Sequence, residues 1–390
     1  MDVVDCTRRY DGDKLAVDRC FMAEAVALAR GVGVRTWPNP PVGAVVVAKG
    51  VVVGRGAHEG PGRPHAEPVA LADAGDKARG ATLYVTLEPC NHQGRTPPCA
   101  PAVIAAGIKR VVVAMRDPNP RVTGGGCRYL RDRGLDVTCG VLAEEALELV
   151  WPFAATDNFT HPYIELKTAH SLDGMFAPSD ASRGDTGPVY LTGKAARRDV
   201  HARRRRVDLV LVGEGTVRAD RPRLDGRLVT GAADVPGTDP LAGYVDTDLS
   251  WDGGFERERY LVFAGEGAKD SARRAGIEAD GGDIVFCREK NGRVDPAGLI
   301  EAAAGRGVAT VMVEGGPRLA WSFLEAGLVD RWVRYLAPVI LGGGVGWPQG
   351  AETPARSARF SLTSHRQLED DLLIVHDRRK FTDLLAAVTI

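Results

Sequence analysis

The chain has almost no net charge: 50 lysines and arginines face 51 aspartates and glutamates, a formal −1 at neutral pH. No basic field is left to hold a nucleic-acid backbone, which argues against non-specific nucleic-acid binding. Long apolar runs are also missing, so no segment approaches the length that crosses a bilayer. The opening residues Met1 to Lys14 are polar and charged, without the apolar stretch of a secretory signal, and a cytoplasmic location is expected. There is no internal repeat and no low-complexity tract. Cysteine is sparse and odd in number, seven in 390 residues. Apart from two assigned below to a metal, these read as reduced cytosolic thiols. What remains is an ordinary globular composition, 44% hydrophobic, in a chain long enough for two domains.

One cluster of residues carries chemistry. His65-Ala66-Glu67 is followed by Pro89-Cys90 and then Cys99. One imidazole and two thiolates make three ligands for a tetrahedral zinc and leave the fourth position to water. Glu67, two residues from His65, can reach that water without touching the metal and move its proton. This is the zinc deaminase arrangement. Eight residues separate Cys90 from Cys99 where the usual motif has two. The inserted segment ends in Pro97-Pro98, which would start a helix at Cys99. The plainer reading is two buried cysteines and a surface histidine. The coincidence of three ligands and a carboxylate in order argues against it.

The rest of the first half alternates helices and strands. Asp18 would cap a helix through Arg30, and Val42–Val47 and Val51–Val53 would form a hairpin around Lys49-Gly50. Helices are expected near Ala66–Ala74, Cys99–Ala106 and Gly126–Arg133. Strands are expected near Leu83–Thr86, Val111–Met115 and Asp136–Thr138. Pro68 is tolerable only in a first helical turn, which sets His65 and Glu67 at a helix start. These elements make a layered α/β domain over residues 15–150, followed by a linker at 151–160.

A second α/β domain is expected over 161–380, with strands at Tyr163–Thr168, Leu209–Val212, Tyr260–Phe263, Ile284–Phe286, Thr310–Val313, Arg331–Leu336 and Leu372–Val375. Gly231–Gly254 reads as an exposed loop. Glu314-Gly315-Gly316-Pro317 and Gly213-Glu214-Gly215-Thr216 each follow a strand, as a phosphate-binding turn would; each reads equally well as a plain tight turn. Arg197, Arg198 and Arg203 to Arg206 read mostly as a solvated helical face, one of them available to grip a phosphate.

Trp37-Pro38-Asn39-Pro40-Pro41-Val42-Gly43, His65-Ala66-Glu67, Glu88-Pro89-Cys90, Gly94 to Cys99 and Asp117-Pro118-Asn119-Pro120 resemble the deaminase half of the bifunctional riboflavin-biosynthesis deaminase/reductase family. Leu166-Lys167, Ser171-Leu172-Asp173-Gly174, Thr192-Gly193, Gly213 to Thr216, Asp220-Arg221-Pro222-Arg223-Leu224 and Glu314 to Pro317 are similar to its reductase half. The resemblance implies a cytidine-deaminase-like α/β/α domain and a dihydrofolate-reductase-like α/β domain, with zinc and NADPH as cofactors. It implies that His65, Cys90 and Cys99 hold zinc, that Glu67 is the catalytic proton carrier, and that Asn39, His58, Arg95, Asp117 and Asn119 hold a phosphorylated ribosylaminopyrimidine. It places NADPH on Lys167, His170, Tyr190, Thr216, Asp220, Gly316, Pro317, Arg318 and Leu319. It places the second substrate on Asp173, Arg204, Leu224, Arg227 and Glu314. A homo-oligomer formed through the reductase domain is implied as well.

The sequence departs from the family at His170, Met175, Tyr190 and Arg221, all on the cofactor side or its rim. These departures motivate an alternative: a specialised paralogue in another pteridine-like pathway, with an active deaminase and a weakened reductase. A polynucleotide-editing deaminase is a second rival, disfavoured by the near-zero charge and the long Cys90–Cys99 segment.

Overall fold

The computed structural model describes residues 6, 13–94, 96–119, 125–156, 160–179, 189–229, 239–251, 257–348 and 359–389, the side chains of 34 and 35 excepted. The chain forms two units, Met1–Thr160 with Phe381–Ile390, and His161–Lys380. Among the described residues no helix is long and apolar enough to cross a membrane.

Unit 1 begins with helix α1 (Lys14–Val32), capped by Asp13, whose carboxylate accepts from the amides of Leu15 and Ala16. Asp18, expected as the cap, lies inside the helix instead. It is 3% exposed and accepts from the Tyr84 hydroxyl at 2.9 Å and from Arg110 twice at 2.7 Å. Two capping residues stand close together, and the one that meets the half-buried Arg110 lies in the core. The hairpin β1 (Gly43–Ala48) and β2 (Val51–Ala57) turns through Lys49 and Gly50, both at positive φ, as a two-residue hairpin turn requires.

Helix α2 (Ala66–Ala74), strand β3 (Thr82–Leu87), helix α3 (Cys99–Ala105), strand β4 (Arg110–Met115), helix α4 (Gly126–Arg131), strand β5 (Asp136–Cys139) and helix α5 (Ala143–Ala155) follow. The sheet order is β2-β1-β3-β4-β5, antiparallel as far as β3 and parallel beyond it. Period-two alternation sends Ala44, Val46, Leu83, Val85, Val111 and Val113 to one face, against Ala66, Ala70, Ala100, Val103 and Leu130 of α2, α3 and α4. Tyr84 points to the other face, where its ring meets Phe21 of α1 at 5.3 Å. Three layers result. Residues 151–155, expected as linker, are the last turns of α5, with Trp151 1% exposed.

Gly54 and Gly56 fix where α2 lies. A methyl group at Gly56 would run into the Ala66 carbonyl and the Ala70 amide, and one at Gly54 into the Ala70 carbonyl. The helix that opens with His65 and Glu67 can therefore rest directly on β2.

Unit 2 contains β6 (Tyr163–His170), α6 (Lys194–Arg204), β7 (Leu209–Gly213), α7 (Glu214–Asp220), β8 (Leu241–Val245), β9 (Tyr260–Gly265), α8 (Arg274–Ala279) and β10 (Gly282–Cys287). A two-stranded hairpin of β11 (Glu289–Lys290) and β12 (Arg293–Val294) precedes α9 (Pro296–Ala304), β13 (Thr310–Val313) and α10 (Pro317–Glu325). The unit closes with β14 (Arg331–Leu336), β15 (Ser361–Leu368) and β16 (Asp371–Asp377). Its nine-stranded sheet runs β10-β9-β8-β7-β13-β6-β14-β16-β15. The strands are parallel from β10 to β14 and antiparallel beyond it.

Strand β8 corrects the expectation of an exposed loop at Gly231–Gly254. Ala242 and Tyr244 are 0% and 1% exposed, inside the sheet. Residues 231–238 and 252–254 of that stretch lie outside the described residues. The chain then returns to unit 1 as α11 (Phe381–Thr389), where Phe381 packs on Trp151 at 5.0 Å and the Arg116 amide donates to the Val388 carbonyl.

The thiols are also corrected. Cys6 and Cys20 form a disulfide, with Cα atoms 5.9 Å apart. Cys6, 2% exposed, lies against the second turn of α1, which carries Cys20.

Candidate active sites

In unit 1 the ends of three elements converge. His65 is the N-cap of α2, Cys90 follows β3, and Cys99 is the first residue of α3, after Pro98 at the cap. Their ligand atoms lie within 4.8 Å of one another. His65 Nδ1 stands 3.6 Å from Cys90 Sγ and 3.3 Å from Cys99 Sγ. Ligands of a tetrahedral zinc, at ~2.0–2.1 Å for nitrogen and ~2.3 Å for sulfur, stand about 3.5 Å apart, so the three residues fit zinc. The opposite ring atom, His65 Nε2, meets Thr96 Oγ1 at 3.2 Å. With Nδ1 turned to the sulfurs, Nε2–H donates to Thr96, the outer partner that fixes a ligand imidazole. The Cys99 amide donates to Cys90 Sγ at 3.3 Å. A hydrogen bond with Cys99 first, and His65 after it, hold the Cys90 thiol down at about 4. Cys99, the donor in that pair, is pushed up.

Glu67 sits in the first turn of α2, 3% exposed and hydrogen-bonded to the Cys99 thiol. Burial pushes its carboxyl up to about 7. A carboxyl so placed can both take and give a proton near neutrality.

Beside the ligands is a cavity of about 230 Å³ lined by Asn39, Gly62, Arg63, His65, Cys90, His92, Gly94 and Thr96. His58 stands behind Asn39. Its Nδ1 lies 3.0 Å from the Pro64 carbonyl, which only accepts, so Nδ1 carries the hydrogen and Nε2 accepts from the Asn39 amide at 2.9 Å. The Asn39 carbonyl oxygen is left for a ligand. Burial lowers the His58 pKa, consistent with a neutral ring. Asp117 accepts from the Asn119 amide at 2.8 Å. Burial pushes its carboxyl up to about 6, with Glu88, His92 and Cys90 close enough to be felt. Arg95 lies outside the described residues. Sequence reading did not single out Thr96, His92 or Arg63. A hydroxyl in the loop between two ligands was the available signal for Thr96.

In unit 2 the ends of β6, β7 and β13 lie side by side, because β13 pairs in parallel with both neighbours. Glu314, just past β13, is clasped by Arg204 at 2.6 and 2.9 Å, with Lys167 Nζ at 3.8 Å. Burial alone would raise the Glu314 carboxyl; Arg204 and Lys167 outweigh it and hold it at about 2. Burial lowers the Lys167 ammonium, against Glu314 and Asp220, which raise it. The expectation of a solvated face fails for Arg203 and Arg204. Arg203 pairs with Asp199 at 2.9 Å and with Glu165 at 3.4 Å.

The Thr216 hydroxyl accepts from the Gly316 amide at 3.2 Å, joining the two glycine turns. Gly316 caps α10, Pro317 opens it, and a methyl group on Gly315 would strike Leu319. The amides of Arg318 and Leu319 begin the helix without intrahelical acceptors. This glycine-lined helix start fits a cofactor phosphate.

Other expected residues are placed differently. His170 is 3% exposed, with its ring edge-on to Phe176 at 4.5 Å, and burial pushes it down to about 4. Tyr190 is 58% exposed beneath the Arg197 guanidinium at 4.5 Å. The Asp173 carboxylate accepts from Ser171 Oγ and from the amides of Leu341 and Gly342. It ties down a loop rather than joining Glu314. The Leu224 side chain is buried in the core, and Arg227 Nη1 donates to Asp225 at 2.5 Å. Asp225, which sequence reading missed, also faces Arg223 at 3.1 Å and His201 at 3.9 Å.

Comparison with known proteins decides the family. Residues 162–374 match the model of the RibD C-terminal domain, and residues 16–115 match that of the cytidine and deoxycytidylate deaminase zinc-binding region. The riboflavin biosynthesis protein RibD of Aquifex aeolicus is 39% identical over 93% of this chain and 99% of its own. The chain belongs to the RibD family. The RibD of Escherichia coli is 35% identical over 92% of this chain and 98% of its own. Among solved structures, RibD of Acinetobacter baumannii superposes with a TM-score of 0.71 at 33% identity, over 94% of this chain and 100% of that one. The diaminohydroxyphosphoribosylaminopyrimidine deaminase/5-amino-6-(5-phosphoribosylamino)uracil reductase of Thermotoga maritima gives 0.71 at 32%, over 92% and 98%. The RibD-family chain is thus a bifunctional deaminase and reductase of riboflavin biosynthesis, dependent on zinc and NADPH.

Proposed function

We propose that unit 1 hydrolyses the exocyclic 2-amino group of 2,5-diamino-6-ribosylamino-4(3H)-pyrimidinone 5′-phosphate, and that unit 2 then reduces the ribosyl group to ribityl, both in the cytoplasm. The observation that carries the reading of unit 1 is Glu67: buried in the first turn of the helix that His65 caps, beside the three converging ligands His65, Cys90 and Cys99. His65, Cys90 and Cys99 would hold zinc, which would supply a water that is nucleophilic at neutral pH. Glu67 takes the proton of that water and returns it, by way of the ring nitrogen, to the departing ammonia. Neutral His58 holds the Asn39 amide by its nitrogen, so that the Asn39 carbonyl oxygen accepts from the substrate. Arg95, Asp117 and Asn119 complete the substrate contacts.

In unit 2, NADPH would supply the hydride. Thr216, Asp220 and Gly316 to Leu319 are the residues that would hold its phosphates and sugars, with Lys167 and the exposed Tyr190 offered to the cofactor and His170, buried against Phe176, backing that side from within. Arg204 and Glu314 would meet the second substrate, the arginine taking its phosphate. Leu224 and Asp173, turned to the core and to the 341–342 loop, would shape that site, and Arg227 would act by way of Asp225. The proposal includes a homo-oligomer through unit 2. Leu172, Val339 and Ile340 support it: all three are exposed, and the Leu172 amide donates to the Val339 carbonyl.

The test gives the zinc-loaded protein the phosphorylated pyrimidine and follows ammonia release and NADPH oxidation on one preparation. Both are expected, in that order. Absence of ammonia overturns the reading of unit 1. Ammonia without NADPH oxidation overturns that of unit 2.

A further inference from the structure

Two cysteines of unit 1 lie outside the chemistry described so far. Cys127, in the first turn of α4, is 2% exposed, and Cys139, the last residue of β5, is half-buried. Both are free thiols, and their sulfurs are 3.5 Å apart. A disulfide needs about 2.05 Å, so a shift of roughly 1.5 Å would join them. The sulfurs are not equivalent. Arg131 Nη2 approaches Cys139 Sγ at 3.4 Å, with its other contact on the Val137 carbonyl at 3.2 Å. A guanidinium only donates, so Arg131 favours the thiolate on Cys139. While both sulfurs are protonated Cys139 donates to Cys127, and once Cys139 has lost its proton the Cys127 thiol donates back to it. That hydrogen bond comes first, with Arg131 and Arg116 adding to it against burial, and Cys139 is lowered to about 6. Cys127 is pushed up. One thiol is thus a partly accessible thiolate, and its neighbour is a buried thiol in reach of it. Those are the parts of a redox dithiol.

We propose that Cys127 and Cys139 form a peroxide-reactive dithiol site, in which Cys139 attacks a hydroperoxide and Cys127 resolves it as a disulfide. The Cys139 thiolate attacks one peroxide oxygen, the O–O bond breaks, and the leaving oxygen departs as water or an alcohol after taking up a proton. Cys139 is then a sulfenic acid. The Cys127 sulfur attacks the Cys139 sulfur, an S–S bond replaces the S–O bond, and a second water leaves. Two thiols are oxidised by two electrons, and the hydroperoxide is reduced by two. The site has a neighbour of consequence. The Cys127 amide donates to the Glu88 carboxylate at 2.8 Å, and Cys90 is two residues beyond Glu88.

The test uses the zinc-loaded full chain and hydrogen peroxide. Thiols are blocked under denaturing conditions, peptides are mapped by mass, and released zinc is followed with a chromophoric chelator. The expected result is a Cys127–Cys139 cross-linked peptide, lighter by two hydrogens, as the major product before zinc is lost, and reversed by a thiol reductant. In Cys127→Ala, dimedone should trap a sulfenic acid on Cys139; in Cys139→Ser, neither adduct nor cross-link should form. Zinc release with Cys90 and Cys99 oxidised while Cys127 and Cys139 stay reduced overturns the proposal. So does a dimedone adduct on Cys127 in Cys139→Ser, which would reverse the assigned roles.

Discussion

The Arg204 guanidinium grips both oxygens of the Glu314 carboxylate inside unit 2, at 2.6 and 2.9 Å. Lys167 stands on the same carboxylate at 3.8 Å, so one negative charge serves two buried positive ones. Removing the carboxylate strands both cations. Glu314→Gln should destabilise unit 2 by about 3–5 kcal/mol, the usual cost of breaking a buried pair on one side. Arg204→Lys keeps the charge and loses the two-point grip, so its effect should be smaller. Thermal unfolding with zinc content followed in parallel is the check. A Glu314→Gln protein that melts with the wild type would show that this triad does not hold the unit together.

Zinc occupancy should depend on Cys99. The expected content is one zinc per chain, falling in Cys99→Ala to a small fraction, because two ligands do not make a closed site. NADPH binding to unit 2 should be unchanged. Metal analysis of the dialysed variant decides, and full zinc retention would mean that the ligand set is wrong.

Glu67→Gln keeps the side-chain volume and loses the proton acceptor. Zinc should stay bound while ammonia release drops by at least ~100-fold, the lower bound for general acid–base catalysis. Near-normal release would remove Glu67 from the proton path.

Unit 2 should weaken in acid in two stages. His170 and His201 are each pushed by burial from 6.5 down to about 4. The unfolded chain therefore gains protons that the folded chain refuses, and stability is lost as the pH falls from 6.5 towards 4. Glu314, at about 2 against an ordinary 4.5, adds a loss of the same sign as the pH falls through that lower window. Four of the six tryptophans, Trp251, Trp321, Trp332 and Trp347, belong to unit 2, so fluorescence-detected melting reports on it. His170→Phe should flatten the upper stage. A melting temperature that stays level from neutral pH to about pH 4.5 would contradict the assignment.

The deaminase centre was legible because its chemistry is local. His65 and Glu67 are two residues apart, and Pro98 announces the helix that begins at Cys99. Thr96 was not legible, because its value lies in meeting His65 across the loop. Arg203 and Arg204 read as a wet helical face because nothing nearby in sequence shows Glu165, 38 residues away, or Glu314, 110 residues away. Strand β8 was hidden by its Gly- and Asp-rich flanks and by Gly243 within it. Phe263 and two leucines of β7 crowd the place of that glycine's missing side chain. Asp18 failed as a cap for the same reason as the arginines: its partner Arg110 is 92 residues away.

Helix α11 brings the last described residues back to the unit where the chain began. The genetic reading of the molecule therefore differs from its linear map. A stop codon just before Phe381 would look on paper like a lesion at the tail of the reductase. It would in fact uncover Trp151 and free the Arg116 amide, and the Asp117 loop follows directly from Arg116. Likewise, a deaminase expressed as residues 1–160 alone would lack one of its own helices. Grafting that helix onto the fragment through a short glycine linker would be the rational way to obtain it.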